Sequence, residues 1–227
     1  MSTLKPAVFF DRDGVLCQAI VRDGRPYPPP SLAEMQLMPG ARLTCEALKN
    51  AGYLLVMVTN QPDIARGAQT RQAVDEINQH LETQLQLDGV EVCPHQDSDG
   101  CGCRKPAPGM LQQAAQHLNI ELEKSFMVGD RWRDVEAGRA AGCQTVFIDY
   151  HYGEQQPLTP GSTVNSLLEA AEHILLSTPN TAPNSAAEFL IGVNARTRAI
   201  SEFRKPQPTQ TPAHRRNAVA LALETER

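Results

Sequence analysis

Five short apolar runs alternate with segments of helical periodicity, and this alternation constrains the fold more than any other feature of the chain. The apolar runs cover 7–10, 53–58, 89–92, 125–128 and 145–148. Helical spacing covers 43–51, 70–85, 110–118 and 134–141, and Ser162 is the predicted N-cap of a last helix that includes Val164. The alternation predicts an α/β fold, a doubly wound and mostly parallel sheet with helices on both faces.

The length and charge of the chain predict one folded domain followed by an extension. Of the net charge of −5 on 227 residues, 1–176 carry −8 and 177–227 carry +3. The second segment is rich in Pro, Thr, Asn and Gln and holds only two aromatic residues. Because it has too little apolar surface to offset its ordering entropy, we expect a folded domain over 1–176 and a low-complexity, disordered extension over 177–227.

Composition also limits the class of partner. A net charge of −5 argues against a dedicated nucleic-acid-binding protein, which needs a basic surface against the phosphates. The longest apolar run, 53–58, is far shorter than the roughly 20 residues that span a bilayer. The first residues also lack the apolar stretch of a secretory signal. We expect a cytoplasmic monomer that acts on a small molecule and binds neither nucleic acid nor membranes.

Polar residues follow three of the predicted strands. Asp11, Thr59 and Asp130 stand at these strand ends, and Asp13 and Gly14 come directly after the first. In an open, Rossmann-like parallel sheet the carboxyl ends of the strands form the ligand crevice. Two carboxylates at this place can supply a nucleophile and a proton donor, although an Asp-x-Asp pair also occurs in ordinary turns.

The same strand ends offer the ligands of a cation and the donors that a phosphoryl group needs. Asp11 and Asp130 give an oxygen-only site of the kind that Mg²⁺ prefers. Thr59 adds a hydroxyl and Lys105 an ammonium, which suit the equatorial oxygens of a transferring phosphoryl group. Taken singly, Thr59 could be a strand-end cap and Lys105 a solvated lysine, so the hypothesis depends on their joint occurrence.

A second cluster predicts a zinc site. Cys93, His95, Cys101 and Cys103 can complete a tetrahedral Zn²⁺ shell, and a filled shell of four protein ligands is structural. The intervening segment, 96–100, is polar and has no apolar core of its own, so a metal would supply the missing constraint. In a reducing compartment these cysteines are better metal ligands than disulfide partners.

Together, Asp11-x-Asp13-Gly14, Thr59-Asn60, Lys105-Pro106 and Gly129-Asp130 resemble the motifs of the haloacid dehalogenase superfamily of phosphohydrolases over roughly 5–176. The resemblance implies that Asp11 attacks phosphorus to give an aspartyl-phosphate and that Asp13 exchanges protons with the leaving oxygen and the water. It implies a Mg²⁺ held by Asp11, Asp130 and the carbonyl of Asp13, with Asp134 supporting these ligands. Thr59 and Lys105 would neutralise the phosphoryl group.

The zinc cluster before Arg104-Lys105-Pro106 resembles one branch of that superfamily, which contains the histidinol phosphatases and the heptose bisphosphate phosphatases. The branch implies a phosphorylated sugar as substrate, and a heptose bisphosphate is the favoured one. The alternative that it implies is histidinol phosphate. It implies substrate contacts from four residues: Asn60, Gln61, Arg66 and Arg104.

The segments between Asp13 and the first helix and between Asn60 and Arg104 are too short for a separate cap domain. We therefore expect an open site walled by 22–30, 61–67 and the loop of the predicted zinc ligands, 93–103. A remote alternative is a non-catalytic module that binds phosphorylated sugars. A retired enzyme would be expected to have lost at least one of the catalytic residues, and none is missing from this chain.

Overall fold

The structure, a computed structural model, describes residues 3–177. Eight strands and five α-helices follow one another in these residues. The strands are β1 (Ala7–Phe10), β2 (Ile20–Arg22), β3 (Arg25–Tyr27), β4 (Leu54–Asn60), β5 (Gly89–Cys93), β6 (Phe126–Gly129), β7 (Gln144–Ile148) and β8 (Ser162–Val164). The helices are α1 (Ala41–Asn50), α2 (Arg71–Leu85), α3 (Gly109–Leu118), α4 (Trp132–Ala141) and α5 (Leu167–Ser177).

Six of the strands form one parallel sheet in the order β5-β4-β1-β6-β7-β8. β1 lies near its centre and is buried on both faces, which is why it is a continuous apolar run. Helix α1 packs against α2 and α5, whereas α3 packs against α4. The predicted doubly wound α/β fold is therefore confirmed.

The hydrophobic core on the α3 side of the sheet joins three strands to two helices. Phe9 of β1 and Val56 of β4 are fully buried there against Met110 of α3, and Met127 of β6 and Ala137 of α4 complete the group. Because successive side chains of a strand point to opposite faces, Phe10 is buried on the other side of β1. The carboxyl end of β1 is thus held rigidly from both faces.

Two segments depart from the sequence-based prediction. Ser162 does not cap a helix, because 162–164 form the edge strand β8 beside β7. The last helix starts five residues later, and the hydroxyl of Ser166 accepts a hydrogen bond from the backbone N–H of Glu169. The predicted wall 22–30 contains β3 of an antiparallel hairpin that sequence reasoning missed.

The predicted extension begins at Ser177, the final residue of α5, and the rest of it lies outside the described residues. Its disorder therefore stays a prediction. Within 3–177, no helix is both long enough and apolar enough to cross a membrane.

Candidate active site

The turn after β1 brings two carboxylates to the carboxyl edge of the sheet. Asp11 follows the last residue of β1, and its backbone N–H donates to the carbonyl of Val128 in β6. Gly14 has a φ of +92°, and a Cβ at this position would lie 1.9 Å from Oδ2 of Asp130. Only glycine lets the turn pass this close to Asp130.

Lys105 carries its charge into the middle of this edge. Its side chain is 1 % exposed, and Nζ lies 2.8 Å from Oδ1 of Asp11, 2.6 Å from Oδ1 of Asp134 and 2.7 Å from the carbonyl oxygen of Val58. Burial opposes the charge, but the Asp11 and Asp134 carboxylates more than offset it and raise the pKa of Lys105. Lys105 is therefore a paired, buried ammonium rather than a solvated one.

The side chain of Asn60, at the end of β4, holds the backbone of Lys105 in place. Its Nδ2 donates to the Lys105 carbonyl at 2.9 Å, and its Oδ1 accepts from the Lys105 N–H at 3.0 Å. This two-way pairing fixes the loop that delivers the ammonium. Asn60 also lines the cavity that Lys105 and Asp11 line, and its contact with a substrate stays a prediction.

Asp11, Asp130 and Asp134 form a buried carboxylate cluster, with one oxygen of each within 4.8 Å of the others. Among the described residues, the Asp130 oxygens have no hydrogen bond of normal geometry, although the hydroxyl of Tyr152 interacts with the carboxylate. Burial, with the charges of Asp11 and Asp134, raises the pKa of Asp130 well above its usual value. A buried carboxylate that has no cation beside it other than Arg131, in a cluster of three acids, fits a divalent cation, which would supply the missing positive charge.

The environment of Asp11 is similar. Burial raises the pKa of Asp11 to about 6, with contributions from Asp134 and Asp13, although the charge of Lys105 opposes the increase. A cation at the cluster would favour the ionised carboxylate. The ammonium of Lys105 and a bound cation would thus both favour the carboxylate form of Asp11.

Asp13 lines the same cavity, and its side chain is 16 % exposed. The Nε2 atom of Gln61 donates to Oδ2 of Asp13 and to Oγ1 of Thr59, both at 2.8 Å. The two residues predicted to face the phosphoryl group and its leaving oxygen are therefore joined by one amide. Gln61 is itself buried, so its first task is to align these neighbours.

A cavity of about 300 Å³ lies above these residues. Its walls include the three predicted segments, with Arg25 from the hairpin, Arg66 from 61–67 and Asp97 from the loop of the predicted zinc ligands, 93–103, which Arg104 follows directly. A fourth wall, which sequence reasoning missed, comes from the start of α4 and the loop after β7. The lining residues of the fourth wall are Arg131, Arg133, Asp134 and Glu154.

Ion pairs hold most of the arginines of this cavity. Arg104 Nε lies 2.7 Å from Oδ1 of Asp97, and the same carboxylate accepts from Nη1 of Arg133 at 3.0 Å. Arg131 pairs with Glu154 at 2.7 Å. Residues 23 and 36 positions apart make the last two contacts, and no sequence periodicity indicates them.

The four predicted zinc ligands meet at the end of β5. The Sγ atoms of Cys93, Cys101 and Cys103 lie 3.3 to 3.7 Å apart, and Nδ1 of His95 lies 3.4 Å from Cys103 and 3.6 Å from Cys93. A tetrahedron with metal–sulfur distances of about 2.3 Å has edges of about 3.8 Å. The donor set and its spacing therefore fit Zn²⁺.

The thiols of this cluster differ in acidity. Burial raises the pKa of Cys93 to about 12. Burial also opposes ionisation of Cys101, but hydrogen bonds from Cys103 and from the backbone of Arg104 lower the pKa of Cys101 to about 7. A thiolate is the form that binds a metal, so Cys101 is the thiol in this group that ionises most readily.

Comparisons with known proteins agree with this arrangement. A HAD-hydrolase-like family model matches residues 102–170. The chain is 38 % identical over 157 residues to the D-glycero-beta-D-manno-heptose-1,7-bisphosphate 7-phosphatase of Yersinia pestis, over 64 % of this chain and 80 % of that protein. It is 34 % identical to the enzyme of the same name from Pseudomonas aeruginosa over 177 residues, covering 74 % of this chain and 97 % of the relative.

Among solved structures, the chain resembles D,D-heptose 1,7-bisphosphate phosphatase from B. bronchiseptica, which was crystallised with magnesium and phosphate. The TM-score is 0.65 at 28 % identity, and the match covers 76 % of this chain and 99 % of the other.

Proposed function

This chain belongs to the haloacid dehalogenase-like family of phosphatases, and we propose that it removes the 7-phosphate of a heptose 1,7-bisphosphate with the help of Mg²⁺. The observation that carries the proposal is the buried edge at which the carboxylates of Asp11 and Asp130 meet Lys105 beside one cavity. Supporting it, the Pseudomonas aeruginosa relative of that name is covered over 97 % of its length.

The carboxylates of Asp11 and Asp130, with the backbone carbonyl of Asp13, would hold the Mg²⁺. When bound, the ion would withdraw negative charge from the phosphoryl oxygens and so favour nucleophilic displacement at phosphorus. Asp134 lies within the same cluster and its Oδ2 accepts from the backbone N–H of Arg131 at 3.0 Å. Because that bond fixes the Asp134 carboxylate, Asp134 would hold the Lys105 ammonium in place beside the carboxylates of Asp11 and Asp130.

We assign the nucleophile to Asp11. A carboxylate oxygen of Asp11 forms a bond to phosphorus while the bond from phosphorus to the sugar oxygen breaks, which leaves an aspartyl-phosphate. Lys105 and the hydroxyl of Thr59 contact the phosphoryl oxygens and offset the charge that accumulates on them. Water then attacks phosphorus, releases inorganic phosphate and restores the Asp11 carboxylate.

We assign the proton transfers to Asp13. In the first step its carboxyl group gives a proton to the departing sugar oxygen, and in the second its carboxylate takes a proton from the attacking water. Its place in the lining of the cavity, two residues after Asp11, suits both steps.

The arginines around the cavity suit a substrate with more than one anionic group. We assign Arg104 to the part of the substrate beyond the scissile phosphate, where its planar guanidinium can bind a second phosphate through two hydrogen bonds. Arg66, on the 61–67 loop, also lines the cavity and pairs with Asp63 at 3.2 Å. Asn60 and Gln61 complete the floor, so the substrate contacts inferred from the sequence all lie on one cavity.

We assign a structural Zn²⁺ to Cys93, His95, Cys101 and Cys103, since four protein ligands leave no position for substrate. With the proposal go the expectations of a cytoplasmic location and a monomeric state. Size-exclusion chromatography with light scattering tests the second of these.

The test is phosphate release from a substrate panel by the purified protein with Mg²⁺, followed by ³¹P NMR of the product. We expect the heptose bisphosphate to lose its 7-phosphate and to keep the phosphate at position 1. Asp11→Asn should abolish turnover, whereas Asp75→Asn, on the exposed face of α2, should not change it.

Three outcomes would contradict this proposal. Faster turnover of histidinol phosphate than of the heptose bisphosphate would reassign the substrate. Parental turnover by Asp11→Asn would remove the nucleophile assignment. Failure to hydrolyse any phosphomonoester in the presence of Mg²⁺ would favour the non-catalytic module.

A further inference from the structure

Arg12, between the two carboxylates of the Asp-x-Asp segment, is fully buried, and it is the largest such side chain among the described residues. Its Nε donates to Oδ1 of Asp13 at 3.0 Å and its Nη2 to Oδ2 of Asp13 at 3.1 Å. Its Nη1 donates to Oδ1 of Asn78 in α2 at 2.9 Å. The guanidinium thus joins the site to a helix that contributes no residue to the cavity lining.

Arg12 and Asp13 form an ion pair in which each neutralises the charge of the other. A buried guanidinium is unfavourable unless it meets an anion, and the ion pair recorded for Arg12 within 3–177 is with Asp13. Burial opposes the charge, but Asp13 offsets it and raises the pKa of Arg12. Arg12 therefore remains a cation, and the orientation of Asp13 is fixed by a charge that has no access to water.

The geometry of the contact controls orientation and not only charge. Two parallel N–H groups meet two carboxylate oxygens, so the plane of the Asp13 carboxylate is fixed by the plane of the guanidinium. A lysine could contact only one oxygen, and the plane of the carboxylate would then depend on the single contacts from Gln61 Nε2 and Cys17 Sγ. The guanidinium cannot turn either, because Asn78 holds its third nitrogen from the far side.

We propose that Arg12 is a positioning residue, which aims the Asp13 carboxyl group at the oxygen that leaves phosphorus. The inference rests on the proposed function, because it assigns Arg12 to the proton transfer made by Asp13. The resemblance to the phosphohydrolases had given Arg12 no role, and Asn78 was predicted only as part of α2. Arg12 contacts neither the substrate nor the metal in this proposal and acts through Asp13 alone.

A comparison of leaving groups tests this assignment. A sugar oxygen leaves slowly unless it is protonated, whereas 4-nitrophenolate leaves without a proton. Because kcat/KM reports the steps up to the first departure, the ratio of kcat/KM for the heptose bisphosphate to kcat/KM for 4-nitrophenyl phosphate measures help from Asp13. The ratio does not depend on the fraction of active protein, so partial unfolding of a variant does not change it.

Arg12→Lys keeps the positive charge and loses the two parallel N–H groups. We expect it to lower this ratio by about 10-fold or more, which is part of the roughly 10²- to 10⁴-fold that general acid catalysis contributes. Asn78→Ala frees the other end of the guanidinium and should lower the ratio in the same direction by a smaller factor. Arg71→Lys, at an exposed ion pair on the same helix, is the matched control and should leave the ratio unchanged.

In an Asp13→Asn background, Arg12→Lys should have no further effect on the ratio, since the group that it positions is gone. Overturning results are an unchanged ratio in Arg12→Lys and Asn78→Ala, or a further fall in the double variant. If the parent hydrolyses 4-nitrophenyl phosphate and not the heptose bisphosphate, the substrate assignment fails. The ratio is then measured with whichever alkyl phosphate the parent turns over.

Discussion

Replacing Gly14 by alanine should separate the cost of backbone strain from the cost of moving a metal ligand. At φ +92° an added Cβ is unfavourable by about 1–2 kcal/mol wherever it occurs. At Gly14 the Cβ would also lie 1.9 Å from Oδ2 of Asp130, although ordinary contacts begin near 3.4 Å. The Asp130 carboxylate therefore has to move by about 1.5 Å, a shift that the geometry of a bound Mg²⁺ does not tolerate.

Gly52 supplies the matched control, because it has nearly the same φ, +93°, and nothing lies within 4 Å of an added Cβ. Gly52→Ala should lower the melting temperature by about 2–8 °C, the effect of 1–2 kcal/mol on a domain of this size, with parental activity. Gly14→Ala should show at least this loss and also lower kcat by about 10²-fold, as expected for a misplacement of an ångström or more.

Two assays distinguish the variants, namely the Mg²⁺ activation curve of phosphate release and the rise in melting temperature on addition of Mg²⁺. We expect Gly52→Ala to match the parent in both. Gly14→Ala should need more Mg²⁺ for half activation and gain less stability from it. Equal Mg²⁺ responses in the two variants would refute the role given to the close approach of Gly14 and Asp130.

Three further predictions concern charges and metal. Lys105→Met leaves Asp11 and Asp134 without their shared cation, so in metal-free buffer we expect a loss of about 3–5 kcal/mol in urea unfolding at neutral pH, with no phosphatase activity. Arg104→Ala should raise KM for the bisphosphate by about 10-fold or more and leave KM for 4-nitrophenyl phosphate near that of the parent, since only the second anionic group loses hydrogen bonds. Elemental analysis should find about one zinc per chain. Cys103→Ala should lower the zinc content and the melting temperature together, and a stable, zinc-free parent would contradict the assignment.

The central strands could be predicted from the sequence because burial on both faces leaves an unmistakable apolar run. Thr70 was likewise predicted as the start of α2, and its hydroxyl accepts from the N–H of Ala73 in the structure. The wrong prediction at Ser162 has a physical cause. The edge strand β8 has three residues, which are too few to show either a continuous apolar run or the alternation of polar and apolar residues that is typical of a strand. Ser166, four residues later, offers the same capping hydroxyl and has the helix directly after it.

The hairpin β2–β3 carried a signal that could have been used. Asp23 and Gly24 stand between its strands, both with positive φ, and Asp-Gly is a preferred pair for a two-residue hairpin turn. The loop after β7 carried no such signal. Its Gly153 donates to the carbonyl of Gly24 and joins the loop to the hairpin, a contact across more than a hundred residues that only the fold brings about.

The proposed zinc site would explain how a loop with so little apolar surface can deliver a buried charge. Lys105 must enter the sheet edge against a desolvation cost, and Cys103, two residues before it, is one of the proposed zinc ligands. On the other side of the cluster, Asp97 accepts from both Arg104 and Arg133, so the same loop links the cavity wall to α4. Loss of the metal should therefore disturb Lys105 and Arg104 together. That loss should lower kcat, because Lys105 is displaced, and raise KM for the bisphosphate, because Arg104 is displaced. Arg104→Ala alone should raise KM and leave kcat near that of the parent.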